Sequence, residues 1–301
     1  PLFLRMFPTA DVDRKIRALR KIIEDTGISE ELRGYSWEKP PVEPINDVRL
    51  SVSDLNSFCP TRRDAFLKYV LKEKVHPNKY MLKGLAFHKV IRETITTLKR
   101  AIYSGCDSGE KIVEEYFPNT EIPEKICKRI GIDPAECVKL YRYIVLQISA
   151  RVDEVLSKYS DADAEDIVGL ILPFVERKVD GSLVGLSSRL SLDVFTPYSV
   201  IMDFKSGYER DEHLLSLTGY ALALEADEET DVNFGFLIYL KVDKHVRFRL
   251  KGFAISDELR REFIEIRDEI AEIVDSGVDP GKPKGCPRYC PYYGVCNEGC
   301  G

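Results

Sequence analysis

The stretch from Val184 to Lys205 constrains the fold of this chain more than any other. It reads as two β-strands, 183–195 and 199–205, joined by a tight turn at Thr196-Pro197-Tyr198-Ser199. Apolar and polar residues alternate in the first strand, and the second is a short, nearly continuous apolar run. Two carboxylates, Asp193 and Asp203, and one lysine, Lys205, sit inside these apolar surroundings. Residues i and i+2 of a strand share a face, so Asp203 and Lys205 project together, and a hairpin brings Asp193 alongside. Taking such charges into a sheet costs several kcal/mol per ion unless they pair or hold a metal. A structural ion pair meets that requirement. So does a site for metal-dependent phosphodiester cleavage, where two carboxylates hold Mg²⁺ or Mn²⁺ and the lysine positions or activates water.

Asp-x-Lys alone is a weak signal, because Asp13-Arg14-Lys15 and Glu176-Arg177-Lys178 share the pattern. The first lies in a charged helical stretch and reads as a solvated face. The second lies on an expected strand but runs into Asp180-Gly181, a hairpin-turn signal that puts Lys178 near an exposed strand end.

A chain of 301 residues, 44% hydrophobic and 31% charged, can bury a full core. No apolar run is long enough to span a bilayer and no signal-peptide pattern opens the sequence, so a cytoplasmic location without membrane contact is expected. The net charge of −6 excludes non-specific nucleic-acid binding by the whole surface. From Arg62 to Arg100, however, there are 11 Lys and Arg against 3 Asp and Glu, so that segment is +8 and the remainder −14. Either a solvated helix face or an enzyme that grips phosphates at one place accounts for this.

In chain order, Val12, Ile16, Leu19, Ile22 and Ile23 give residues 9–27 an amphipathic helix with a Gly stop, and the Pro-rich linker Lys39-Pro40-Pro41-Val42-Glu43-Pro44 follows. Residues 1–45 thus form an arm, around the core or toward a partner. A helical region, 46–165, opens with Ser51 or Ser53 as N-cap of a helix carrying Cys59, and continues through Pro60-Thr61-Arg62-Arg63 to Leu71. A helix over 82–102 places Gly84 one turn before His88, with Ile91 and Ile95 on the same face. His88 suits a hydrogen-bonded core position or a metal's nitrogen ligand, with Gly84 letting the helix pack close to the sheet. Residues 107–160 read as helices broken at Pro118, Pro123 and Pro134, the longest over 134–159. The core, 166–278, is expected to hold strands 168–178, 183–195, 199–205, 232–242 and 245–254, with helices 211–225 and 256–276.

Of eight cysteines, Cys106, Cys127 and Cys137 read as small buried apolar residues. Cys286, Cys290, Cys296 and Cys300 crowd a Pro/Gly-rich tail, 279–301, at metal-ligand spacing. An all-tail zinc site fits. So does an iron–sulfur cluster on Cys59, Cys286, Cys290 and Cys296, leaving Cys300 free. Spacing alone slightly favours zinc. A clasp through Cys59 would stabilise the fold by about 5 kcal/mol on loop-entropy arguments.

Taken together, Gly84 and His88, Asp193, Asp203-Phe204-Lys205 and Tyr220, framed by one early and three late cysteines, resemble the CRISPR-associated RecB-like nucleases with an iron–sulfur cluster, the fourth Cas family. Leu50-Ser51-Val52-Ser53, Cys59-Pro60-Thr61-Arg62-Arg63-Asp64 and Gly219-Tyr220-Ala221-Leu222-Ala223-Leu224-Glu225 resemble its archaeal type I-A form. The resemblance runs from about residue 30 onward. It implies an α/β fold on a PD-(D/E)xK restriction-endonuclease-like core, a mixed sheet flanked by helices, with a helical N-terminal region and a cluster-binding tail packed back on it. It implies Mg²⁺ or Mn²⁺ on His88, Asp193, Asp203 and the Phe204 carbonyl, Lys205 beside the attacking water, and Tyr220 among the catalytic residues. It makes a [4Fe–4S] cluster on Cys59, Cys286, Cys290 and Cys296 the expectation over zinc. It further implies trimming or cutting of DNA, often at single-stranded ends, as prespacers are processed alongside the integrase pair Cas-one and Cas-two. One position departs from the family pattern: a Gln assigned to holding substrate or lysine stands four residues before Tyr220, and here that position is Ser216. Two other readings keep the fold and change the role: a non-catalytic DNA-binding adaptor of the spacer-integration complex, and a RecB-like repair nuclease outside CRISPR.

Overall fold

A computed structural model describes residues 9–57, 59–171, 174–196 and 200–297. The expected turn at Pro197-Tyr198-Ser199 and the fourth tail cysteine, Cys300, lie outside the described residues. Helices α1 (Thr9–Thr26), α2 (Val52–Leu55), α3 (Arg63–Tyr69), α4 (Lys79–Tyr103), α5 (Gly109–Tyr116), α6 (Glu121–Ile130), α7 (Ala135–Lys158) and α8 (Ala164–Ile171) precede a five-stranded sheet. Its strands are β1 (Phe174–Val179), β2 (Leu190–Thr196), β3 (Val200–Lys205), β4 (Phe234–Val242) and β5 (Val246–Ala254), in spatial order of sequence. Neighbouring strands are antiparallel except β3 and β4. That pair is parallel, and the crossover it requires is helix α9 (His213–Glu228). Helices α10 (Asp257–Ser276) and α11 (Tyr293–Asn297) follow β5.

β3 and β4 are nearly continuous in apolar residues because both faces of the sheet are covered. Val200, Met202, Phe204, Phe236 and Ile238 are buried against α4 and α7, among Phe87, Ile91, Tyr141 and Ile144. Ile201 and Leu237 face the other way, among Leu222 of α9 and Phe263 and Ile264 of α10. Each side chain buried this completely contributes about 2 kcal/mol of hydrophobic stabilisation. The described residues from 9 to 45 wrap the core: Ile16 and Leu19 of α1 join the α4–α7 face, and Leu32 and Val42 are fully buried on the α9–α10 face.

Three sequence expectations require correction. Residues 168–171 are helical, and β1 starts at Phe174. The apolar run was ambiguous, and capping decides it: the Asp163 carboxylate accepts from Asp166 N–H at 2.9 Å, and Ile167, Val168 and Ile171 are buried at helical spacing. Residues 183–189 are not strand. Leu186 N–H donates to the Gly181 carbonyl at 2.9 Å, and Leu186 bridges to Leu50, so the chain loops before β2 begins at Leu190. Cys59 is not helical: α2 is a single turn ending at Leu55, and α3 begins at Arg63.

Helix α9 is fixed at both ends. Near its C-terminus the fully buried Glu225 carboxylate accepts from Arg33 Nη1 (2.9 Å), Gly34 N–H (2.8 Å), Val232 N–H (3.1 Å) and Arg260 Nη1 and Nη2 (2.7 and 2.8 Å). These donors come from the N-terminal segment, the loop before β4 and helix α10. At the N-terminus, His213 is buried and its Nδ1 lies 3.2 Å from the Tyr239 hydroxyl, while Arg210 Nε donates to its Nε2 at 3.3 Å. Accepting from Arg210 requires an unprotonated Nε2, so the imidazole is neutral with its proton on Nδ1. Burial, aided by the charges of Lys205 and Arg210, lowers the His213 pKa from 6.5 to about 3.

Glu225→Ala leaves buried guanidinium groups uncompensated and is expected to lower the unfolding free energy by about 3–5 kcal/mol, read from the urea midpoint at unchanged m-value. Because His213 stays neutral in the fold, the unfolded chain binds the extra proton first. Its contribution is intact above pH 6.5 and is lost as pH falls toward 3. His213→Gln should therefore show a flatter dependence of stability on pH across that window than the native protein, measured by urea titrations at stepped pH.

Candidate active site

Asp203 and Lys205 project from the C-terminal half of β3 toward α9, as strand alternation from Ile201 requires. Lys205 Nζ lies 2.6 Å from Asp203 Oδ2 and donates to Ser216 Oγ of α9 at 3.1 Å. Continuing the β2–β3 register by one position beyond Val194↔Met202 sets Asp193 across from Asp203. Asp193 Oδ2 accepts from Phe204 N–H at 2.9 Å, and its Oδ1 lies 3.0 Å from His88 Nδ1 of α4. The four side chains placed at one centre by sequence are brought together, from one helix and two strands. Gly84 permits this approach: a Cβ there would come within 2.8 Å of Ser206 Oγ, next to Lys205.

The electrostatics follow from burial and pairing. Burial raises the Asp203 pKa, with the Lys205 ammonium pulling it down and Asp193 adding repulsion. At Asp193 burial also works upward, but the hydrogen bond and charge of His88 outweigh it and the pKa is lowered. His88 is the mirror case: burial disfavours the imidazolium, Asp193 overcomes that, and the pKa is raised. Asp203 Oδ2 is buried and close to Lys205 without accepting a hydrogen bond of good geometry.

That orphaned carboxylate oxygen, a second carboxylate and an imidazole form a mostly hard donor set suited to Mg²⁺ or Mn²⁺. The donors converge, but among the described residues no three His, Cys, Asp or Glu side chains stand in a ready-made ligand arrangement. His88 and Lys205 pair with the carboxylates instead. Tyr220 lies in the wall of the same cleft, and its hydroxyl donates to the Ser191 carbonyl at 3.1 Å. It braces β2 two residues before Asp193 and makes no hydrogen bond to the carboxylates. Burial and the two aspartates push its pKa strongly up. The competing triplet is elsewhere: Lys178 is exposed on edge strand β1, and Arg177 pairs with Glu228.

The tail packs against α3, where Tyr292 and Cys296 are buried with Phe66 and Leu67. Arg63 holds Asp279 through Nε (2.9 Å) and Nη2 (2.8 Å), and Thr61 Oγ1 donates to the Gly281 carbonyl at 2.9 Å. Burial pushes the Cys290 thiol up to about 12, with Cys286 and Cys296 adding to the effect. Burial likewise raises Cys296, which feels Cys286 and Cys59 as well as the opposing charge of Arg63. Cys59, Cys286, Cys290 and Cys296 thus form one neighbourhood of free thiols, soft donors in kind, although here too no three of the described side chains stand in a ready-made ligand arrangement.

Both neighbourhoods open on one cleft of about 530 Å³, lined on one side by His88, Asp203 and Lys205 and on the other by Cys59, Cys290 and Tyr292. Asn56 also lines it, hydrogen-bonded to Ser216, and so does His213. Sequence reasoning passed over both. An Asn after a one-turn helix and a His at a helix start carry no pattern of their own, and only the strand–helix crossover brings them to the site. No helix among the described residues is long and apolar enough to cross a membrane.

Comparison with known proteins bears on this geometry. The family described as CRISPR-associated exonuclease Csa1 matches residues 6–299. A CRISPR-associated exonuclease Csa1 of Saccharolobus solfataricus is 35% identical over 295 residues, covering 95% of this chain and 96% of that protein. One of Thermoproteus tenax is 30% identical over 295 residues, covering 97% and 100%. By this near-complete match, the chain belongs to the Csa1 family of CRISPR-associated exonucleases.

Proposed function

We propose that this chain is a metal-dependent DNA nuclease, exonucleolytic or endonucleolytic on single-stranded ends, that processes prespacers during CRISPR adaptation. The observation that carries the reading is the convergence of His88, Asp193, Asp203 and Lys205 in one cleft. Family membership gives it direction. The mixed sheet is read as a PD-(D/E)xK restriction-endonuclease-like core, with DNA and the integrase pair Cas-one and Cas-two as partners.

Asp193, Asp203, a His88 nitrogen and the Phe204 carbonyl would hold Mg²⁺ or Mn²⁺, which when bound supplies charge stabilisation at the phosphoryl oxygens and acidifies water. Lys205 is aimed by its contacts with Asp203 and Ser216, so its ammonium orients the attacking water and offsets charge developing on the phosphate. Asp193, tied to the Phe204 N–H, keeps β2 and β3 in the register that sets the two carboxylates together. The lysines of the Arg62–Arg100 segment include the exposed Lys72, Lys74 and Lys79, which lead to Asn78 at the cleft and would guide the DNA backbone. A [4Fe–4S] cluster on Cys59, Cys286, Cys290 and Cys296 would have a structural role, locking the tail onto α3.

Lys205→Ala or Asp203→Ala should reduce Mn²⁺-dependent degradation of single-stranded DNA by at least about a hundredfold while leaving the protein brown. Wild-type rates in either variant would show that the site is misassigned. Anaerobically purified native protein should absorb broadly in the visible, and Cys290→Ser should lose that absorbance and melt at a lower temperature. A colourless native protein containing zinc would refute the cluster and leave the nuclease site standing.

A further inference from the structure

Asn56 follows the single turn of α2 and faces α9. Its terminal amide hydrogen-bonds Ser216 Oγ, the same oxygen that takes a hydrogen bond from Lys205 Nζ at 3.1 Å. With Asn56 Nδ2 toward Ser216, the two lone pairs of the hydroxyl are both occupied, by the asparagine and by the lysine. Asn56 Oδ1, meanwhile, is buried and unpartnered. The Ser216 hydroxyl thus joins Lys205 to Asn56, each donating to the same oxygen.

The presentation of Asn56 is rigid. Asp54 in the same turn accepts from Ser51 N–H (2.9 Å), Lys68 Nζ (2.6 Å) and the Tyr69 hydroxyl (2.5 Å), and Val52 and Leu55 are buried. Gly219 lets α10 sit close on α9, since a Cβ there would lie 2.7 Å from Phe263 Cε2, and Val52 of the turn packs beside it at ordinary contact distance. Lys205, a flexible four-carbon side chain, is thereby held from two directions, by Asp203 on its own strand and by a relay that ends on a separate element.

We infer that Asn56 is a positioning residue of the reaction, acting on Lys205 through Ser216. The inference rests on Lys205 serving the nuclease reaction proposed above. The test is the rate of single-stranded DNA degradation at saturating DNA and Mn²⁺, with melting temperature as control. Asn56→Ala and Ser216→Ala should each lower kcat about tenfold, the value of one hydrogen bond that aims a charged group, with melting temperatures near that of the native protein. Since the two residues act in series, the double variant should be no slower than the slower single. Ser216→Gln in the Asn56→Ala background should restore most of the rate, because the longer amide fills the vacated space and meets Lys205 directly. A wild-type kcat in Asn56→Ala, or losses that multiply in the double variant, would overturn the relay. If the native protein cleaves no DNA, the nuclease reading falls separately. Crystal structures of native and Asn56→Ala protein then decide the relay: Lys205 Nζ leaves Ser216 in the variant if it holds, and stays in place if it does not.

Discussion

The buried Glu225 carboxylate is the interaction on which the arrangement depends. A charge with no access to water is tolerable only when its oxygens are fully occupied, and here two arginines and two backbone amides occupy them. The donors arrive from three separate parts of the chain, so satisfying one carboxylate fixes the N-terminal segment, the entry to β4 and α10 against α9. α9 in turn carries Ser216 and Tyr220, which hold Lys205 and β2. The chemistry at one end of the crossover helix is thus aligned by an ion cluster near the other.

Much of this was legible because it rests on local rules. Strand alternation put Asp203 and Lys205 on one face, and the spacing of Gly84 and His88 set an imidazole one turn from a point of close contact. The Asp180-Gly181 turn correctly removed Lys178 from contention. Local rules failed where a short apolar run had two solutions. Ile167 to Ile171 suits a strand by composition, and the cap at Asp163, a few residues upstream, makes it helix. What no local rule contains is convergence across long separations. Asn56 reaches Ser216, and Arg33 reaches Glu225, across 160 and 192 positions of sequence. The Glu225 cluster looks in sequence like ordinary surface charge, because its burial is decided by residues nearly two hundred positions away.

The two chemically distinct neighbourhoods are walls of the same opening. The carboxylates and lysine are set by the sheet, and the opposite side is built by the tail folding back on α3. Arg63, Thr61 and Asn78 hold that tail through its backbone and Asp279, so its position does not rest on the cysteines alone.

The contact at Gly84 is made by a missing side chain. A Cβ there would meet the Ser206 hydroxyl at 2.8 Å, which can turn aside, so it takes a bulkier substituent to wedge α4 from the residue that follows Lys205. His88 rides on the same rod a turn farther along, so prying the helix away would carry the imidazole off Asp193 while every ligand remained chemically intact. A bulky side chain at this position, which bears no reactive atom, would act on the site by leverage.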